Sequence, residues 1–265
     1  MKWAIDVSHY DARRYVFPSG YKNDLPMDWK KARDEGSLSL AMIKCSEGLF
    51  TDPAFRMQWA AAKGILPRLA YHFFRANVNA ILQAYYVKTL LSYDFDPKTD
   101  FVAMDFETTD GMTGQQTLMA GGSFLYEIEK MGTLPFIYSG WTWREIGGET
   151  NGLWAKKYPL WLASWPLDNW IANTAIQLPP YLFDATKLAD FKNKIFAGTI
   201  KPNVPKPWTT PAIWQFTARA DTRFIPGHPA VKTAADYNAI YIDMPVMGTI
   251  PTHPAVCPTC GQTWT

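Results

Sequence analysis

Two acids separated by one residue, Asp105 and Glu107, stand in the stretch Phe101-Val102-Ala103-Met104-Asp105-Phe106-Glu107, which runs on into Thr108-Thr109-Asp110-Gly111. The stretch alternates as a β-strand does. Val102, Met104 and Phe106 share one face, and Ala103, Asp105 and Glu107 share the other. Residues two apart on a strand project to the same side, with Cα atoms ~6.5 Å apart. Carboxyls held so close repel, which separates their pKa values and suits them to work as a proton donor beside an ionised partner. Two solvated charges at a strand end are the alternative for the pair taken alone. Asp6 ends a second alternating stretch, Trp3 to Val7, where Ala4 and Asp6 share a face. Asp236, in Asp236-Tyr237-Asn238, precedes a last apolar stretch, Ala239 to Asp243. Taken singly, Asp6 reads equally well as a strand-end hydrogen-bond partner, and Asp236 as a turn residue capping the entry to that stretch.

The elements that must position these acids follow from periodicity. Strands are predicted over 3–7, 38–44, 66–74, 101–107, 134–138, 158–163, 212–216 and 239–243. Helices are predicted over 27–35, 52–62, 79–92, 115–131 and 185–196, with Asp28 as a cap on the first. Residues 11–27 read as a long loop, 143–149 as a short helix or loop, and 166–211 as an irregular Pro-rich excursion around the last helix. Strands that mostly alternate with helices predict an α/β fold: an irregular parallel β/α (TIM-like) barrel in a single domain. An open doubly wound sheet is the alternative. It is disfavoured because no Gly-rich phosphate loop follows the first strand, and because acids recur at strand C-termini, where barrels gather catalytic groups. The expected organisation is a catalytic barrel over 1–244, with an insertion at 166–211, and a Pro/Cys-containing tail over 245–265.

Composition narrows the function classes. At 265 residues, with 48% hydrophobic and 19% charged, the chain has the make-up of a globular domain and not of a disordered one. A net charge of +2 is too small to point to a nucleic-acid partner. No apolar run approaches the roughly 20 residues that span a bilayer. The 12 Trp, 13 Tyr and 15 Phe supply rings that could stack on sugars, although most must be core. Cys45, in an apolar strand, reads as a buried thiol. Cys257-Pro258-Thr259-Cys260, with His253 just upstream, looks like half a zinc ribbon, and an unstructured tail from Pro245 is the competing reading. No H-E-x-x-H occurs, and His9, His72, His228 and His253 do not assemble a catalytic zinc set, so neither a metal nor a cofactor is expected.

A run of short motifs then carries a resemblance. They are Ile5-Asp6-Val7-Ser8, Met42-Ile43-Lys44-Cys45-Ser46-Glu47-Gly48, Ala70-Tyr71-His72-Phe73 and Asp105-Phe106-Glu107. Phe136-Ile137-Tyr138, Leu160-Trp161-Leu162-Ala163, Ile213-Trp214-Gln215-Phe216 and Asp236-Tyr237-Asn238 complete the series. No single one is specific, but in this order, from residue 3 to about 243, the chain resembles the glycoside hydrolase family 25 lysozymes, the Chalaropsis-type muramidases. The resemblance implies cleavage of the β-1,4 bond between N-acetylmuramic acid and N-acetylglucosamine in bacterial peptidoglycan. It implies Glu107 as general acid, with Asp105, Asp6 and Asp236 as the other acids of the cleft. Whether an Asp attacks carbon, or the substrate's N-acetyl group does so with Asp105 orienting it, stays open.

Tyr71, His72, Tyr138, Trp161 and Trp214 are candidate sugar contacts; each reads alternatively as barrel packing, and His72 as a satisfied core histidine. Lys44 and Glu47 are expected to pair at the rim. The segments Arg13 to Pro26 and Pro166 to Pro211 are longer than the family's usual links and are expected to reshape the cleft rim. Residues 1–8 carry no signal-peptide pattern, so the expected setting is a phage endolysin released at lysis, or a virion-borne lysin. Peptidoglycan is the expected partner, with no nucleic acid, membrane or obligate protein partner. Two further classes remain: a wall-binding module on the same fold without catalysis, and a zinc amidase or peptidase.

Overall fold

Alternation along each strand separates the chain into two packed layers. The computed structural model describes residues 2–16, 20–166, 185–229 and 234–241, with the backbone of 255–256 and 263–264. Eight strands close into a barrel: β1 (Lys2–Val7), β4 (Leu38–Glu47), β6 (Arg68–Phe73), β7 (Asp100–Asp105), β8 (Phe136–Ser139), β9 (Leu160–Ala163), β10 (Ile213–Asp221) and β11 (Ala234–Ile240). Their inward residues, including Ala4, Leu40, Met42, Leu69, Phe101, Ala103, Phe136 and Ile213, form one buried cluster. Their outward neighbours, including Ile5, Val7, Ile43, Val102 and Met104, join a larger cluster with the surrounding helices. This is the filled interior and helical jacket of a β/α barrel.

The helices are α2 (Trp29–Asp34), α3 (Phe55–Ala62), α4 (Ala80–Leu91), α5 (Gly114–Glu129), the short α6 (Trp141–Glu145) and α7 (Gly148–Asn151), and α8 (Ala185–Phe196). Their starts are set by side chains that satisfy orphan backbone N–H groups. Asp28 caps α2, Asn79 caps α4, and Thr113 with Gln116 forms a capping box on α5. Helix α5 packs so close to β7 that a Cβ on Gly121 would lie 3.1 Å from the Phe106 ring.

The irregularity of the barrel lies chiefly in its last strand. From β4 through β10 the neighbours β4, β6, β7, β8, β9 and β10 pair in parallel, and β1 pairs in parallel with β4. Strand β11 instead runs antiparallel to both β1 and β10. The fold is therefore a mixed barrel, and the predicted last strand at 239–243 is corrected to 234–240. Asp236 lies in that strand and not in a loop before it.

Two other segments depart from expectation. The predicted loop over 11–27 holds the end of a short helix, α1 (His9–Ala12), and a ribbon of β2 (Arg13–Val16) on β3 (Gly20–Asn23), while a two-residue β5 (Phe50–Thr51) folds back antiparallel on β4. In the tail, β12 (Ala255–Val256) pairs with β13 (Thr263–Trp264). His253, Cys257 and Cys260, and most of the excursion from 167 to 184, lie outside the described residues. The helix predicted over 185–196 is present at those bounds.

One backbone contact ties the barrel rim to its jacket. Gly227, at φ +82°, accepts a hydrogen bond of 2.8 Å from the Asp28 backbone N–H at the start of α2. A Cβ there would run into the Asp28 carbonyl oxygen, and the left-handed backbone adds strain. Gly227→Ala should therefore cost about 2 kcal/mol or more, and lower the melting temperature by roughly 4–8 °C. An unchanged melting temperature would show that the loop yields freely.

Candidate active site

Each barrel strand ends at one rim with an inward-pointing side chain. Asp6 comes from β1, Lys44 from β4, Tyr71 from β6, Asp105 from β7, Tyr138 from β8, Trp161 from β9, Gln215 from β10 and Asp236 from β11; with Glu107, Ser8, Trp165 and Ala218 they line a cavity of about 250 Å³. The reversed direction of β11 explains how Asp236 arrives there. In a parallel strand the C-terminal end reaches this rim, whereas in an antiparallel one the N-terminal end does. Asp236 sits near the start of β11, directly opposite Asp6 in register. All four acids singled out in the sequence thus meet in one cavity.

Strand β7 stops at Asp105, so Glu107 lies just past it, at the mouth. The turn beyond is braced: Thr142 Oγ1 donates to the Glu107 carbonyl at 3.1 Å, and Asp110 accepts from the Ala76 N–H at 2.8 Å and from Thr108 Oγ1 at 3.2 Å. Asp105 is buried, and its Oδ1 meets no hydrogen-bond donor. Burial lifts its carboxyl well above the ordinary carboxylate range; the charge of Glu107 adds to the lift and Lys44 opposes it. Glu107 touches solvent, but the concave walls around it still strip enough hydration to raise its carboxyl too, chiefly through burial, with Asp6 adding. Both carboxyls therefore keep a proton to higher pH than free ones do, which suits the pair to acid catalysis.

Protonation of this pair has a consequence for stability. Unfolded, both carboxyls ionise at about pH 4; folded, they keep a proton to higher pH. Above pH 4 the native state thus binds more protons than the unfolded state, and the pair's contribution to stability falls as pH rises. Asp105→Asn, neutral at every pH, should raise stability at pH 7 by roughly 0.5–2 kcal/mol. That gain should disappear below about pH 4, where both forms of residue 105 are uncharged. A thermal melt at pH 7 no higher than wild type would contradict this.

The aromatic candidates divide by strand alternation. Tyr71, Tyr138 and Trp161 point inward and pack together, with Trp161 4.4 Å from Tyr138 and 5.6 Å from Tyr71 between ring centroids. Burial raises both tyrosine hydroxyls well above their usual pKa, so they remain neutral donors. His72 and Trp214 are corrections. Each follows an inward residue on its strand and so must face outward. His72 is fully buried against Phe124, with Nδ1 2.8 Å from Ser46 Oγ and Nε2 3.0 Å from Gln83 Oε1. Burial pushes its pKa down to about 4, which makes it a neutral core histidine. Trp214 packs under the helices and donates from Nε1 to the Ser164 carbonyl at 2.6 Å. Gln215 and Trp165 take their place in the cleft; period-two counting from Ile213 would have found Gln215, whereas Trp165 follows the end of β9 and left no periodic signal. Lys44 Nζ pairs with Glu47 Oε2 at 3.1 Å, as expected for the rim.

A larger cavity, about 710 Å³, opens at the opposite end among Lys63, Arg68, Tyr93, Asp94 and Asp100. Its buried guanidinium is fully engaged by the protein itself: Arg68 donates to Asp94, Asp100 and the Trp59 and Asp94 carbonyls. Asp94 and Asp100 are thereby committed to Arg68, whereas the acid rim holds the carboxyls with raised proton affinity. No group of three or more His, Cys, Asp or Glu arranged for a metal occurs among the described residues, and none of their helices is long and apolar enough to cross a membrane.

A barrel with several carboxylates gathered at the strand ends, two of them with raised pKa, is of the class that hydrolyses glycosidic bonds. The model of the glycosyl hydrolases family 25 matches residues 5–223, and the chain belongs to that family. It is a glycoside hydrolase. Comparison with curated protein sequences gave no match. Among solved structures, the chain is similar to a bacterial lysozyme from Streptomyces coelicolor at 20% identity and a TM-score of 0.61, covering 90% of this chain and 91% of that one. A muramidase from Trichobolus zukalii matches at 19% identity and a TM-score of 0.60, over 92% and 95% of the two chains. The catalytic domain of an endolysin from a bacteriophage of Listeria monocytogenes matches at 15% identity and a TM-score of 0.59, over 91% and 93%. The shared barrel is what these likenesses establish.

Proposed function

We propose that this enzyme is an N-acetylmuramidase, cleaving the β-1,4 bond between N-acetylmuramic acid and N-acetylglucosamine in peptidoglycan. The observation that carries the proposal is the gathering of Asp105, Glu107, Asp6 and Asp236 around one cavity, with the Asp105 and Glu107 carboxyls both raised in pKa by burial. Glu107, at the mouth, donates a proton to the leaving oxygen. Asp6 and Asp236 supply negative charge to the oxocarbenium-like centre. Asp105 Oδ1, enclosed and without a donor, is placed to accept the N–H of a substrate acetamido group, which favours the sugar's own N-acetyl oxygen as nucleophile. Tyr71, Tyr138 and Trp161 form the floor on which the sugar rests. The family membership and the lysozyme and muramidase neighbours support the substrate class, and the cell wall is the site of action.

The test is the chemistry of the digest. Peptidoglycan treated with the protein should gain new reducing ends at N-acetylmuramic acid. Reducing ends at N-acetylglucosamine would reassign the bond, released amines or peptides would make the enzyme an amidase or peptidase, and binding without products would leave only a wall-binding module. We further propose that residues 1–244 form the catalytic unit and 245–265 an appendage. Removal of 251–265 should leave the hydrolysis of soluble wall fragments within about twofold of wild type, because such ends tolerate truncation where no core contact is lost. A collapse of activity would place the tail within the catalytic unit.

A further inference from the structure

Asp6 is gripped by two side-chain amides. Gln215 Nε2 donates to Asp6 Oδ2 at 3.0 Å, and Asn238 Nδ2 donates to the same oxygen at 2.8 Å. An amide turned by 180° would present its carbonyl to the acid instead, and only its remaining contacts decide which way it faces. Here tryptophans decide. An indole N–H donates and never accepts. Trp165 Nε1 lies 2.8 Å from Gln215 Oε1, and Trp161 Nε1 lies 2.8 Å from Asn238 Oδ1. Each indole draws the amide oxygen to itself and sends the NH₂ toward Asp6. Tyr138, whose hydroxyl is 2.8 Å from Gln215 Oε1, could not enforce this alone, because a hydroxyl both donates and accepts. Gln215, Asn238 and Trp161 are all buried, so water does not compete for these bonds.

We propose that Trp165–Gln215 and Trp161–Asn238 are positioning pairs: each indole fixes the direction of one amide, and the two amides together hold Asp6 as an oriented, ionised carboxylate. What Asp6 then does in catalysis rests on the muramidase reading; how it is held rests on this geometry. Two N–H donors on one carboxylate oxygen favour its charged form and remove its rotational freedom. Among the described residues, the other charged or titratable groups lining the cavity with Asp6 are Asp105 from β7 and Glu107 just past it, Asp236 from β11, Lys44 from β4, Tyr71 from β6 and Tyr138 from β8. Trp165→Phe leaves all of them in place, so its difference from wild type reports on the Gln215 amide, whereas Gln215→Met also removes the acceptor of the Tyr138 hydroxyl.

The test is a carboxyl ¹³C NMR titration of the full-length protein labelled at Asp Cγ, with the Asp6 signal identified by its loss in Asp6→Asn. Trp165→Phe keeps a ring at a half-exposed position and removes only the N–H, freeing the Gln215 amide to turn. The Asp6 midpoint should rise by about one pH unit in Trp165→Phe, and by about one to two in Gln215→Met, which removes the donor itself. The acid limb of the kcat/KM profile should move upward with it, with KM little changed in Trp165→Phe. An Asp6 midpoint unmoved in Trp165→Phe would overturn the proposal, whether or not Gln215→Met folds. A wild-type protein that releases no reducing ends, yet shows the shift in Trp165→Phe, would uphold the positioning pairs and remove the muramidase reading.

Discussion

Glu107→Gln is expected to lower kcat for peptidoglycan hydrolysis by ~10²–10⁴-fold while leaving KM and the melting temperature near wild type. The leaving oxygen of a glycoside departs slowly unless it is protonated, and an amide has no proton to give. Glu107 is the member of the acid pair that reaches the cavity mouth, whereas Asp105 lies enclosed behind it. The substitution changes no core contact, because Glu107 touches solvent. Reducing-end release under saturating substrate measures the effect, and near-unchanged binding of wall fragments separates lost chemistry from lost affinity. Retention of more than a tenth of wild-type activity would sink the assignment. Acids of the 166–211 excursion provide the contrast. Asp190 on α8 pairs with Lys194 at 2.7 Å and stays exposed, so Asp190→Asn should be silent. Asp168→Asn and Asp184→Asn should also retain activity; inactivation by either as complete as that of Glu107→Gln would mean that the site has been misplaced.

Arg68→Met should be the most damaging single change to stability, at about 3–5 kcal/mol, or roughly 10 °C in melting temperature. Arg68 sits at the start of β6 with every donor used. Its Nε and one terminal nitrogen hold Asp100 at 2.9 and 2.6 Å, and it also reaches Asp94 and two backbone carbonyls. The guanidinium lies 4.0 Å from the Trp59 ring centroid, which adds a cation–π contact. Removing it deprives the buried Asp100 carboxylate of its cation and leaves it the Asp96 N–H at 2.8 Å. Because this clasp lies at the end of the barrel opposite the acids, activity at 25 °C should survive while the melting point falls. Adding Asp100→Asn should restore part of the loss by removing the stranded charge. A fall of under 2 °C in Arg68→Met would show that the clasp contributes little beyond its packing.

Much of the site was legible because strand alternation is a local property. Period two placed Ala4 with Asp6, and Ala103 with Asp105, on faces that the structure turns inward. The same counting, applied to Ala70-Tyr71-His72 and to Ile213-Trp214-Gln215, would have sent His72 and Trp214 outward and Gln215 in. Treating each motif as a block of candidates, instead of alternating along it, produced those two misplacements. Helix bounds were good where a cap marks the start, as at Asn79 and Thr113. The hairpin over 13–23 was missed because its strands are short and carry no apolar alternation of their own.

By itself, then, the sequence determined the barrel class and the strands that carry Asp6 and Asp105, since these follow from periodicities of two and 3.6 that each segment carries within itself; Asp236 it left in a loop before the last strand. It could not determine which way a strand runs, because alternation reads the same in both directions. Only the tertiary structure set β11 antiparallel between β1 and β10, and so brought Asp236 opposite Asp6. Likewise the tertiary structure alone decided the charge state of the acids. A carboxyl's proton affinity depends on what surrounds it: the walls that strip water from Asp105, and the amides of Gln215 and Asn238, drawn from strands more than 200 residues after Asp6.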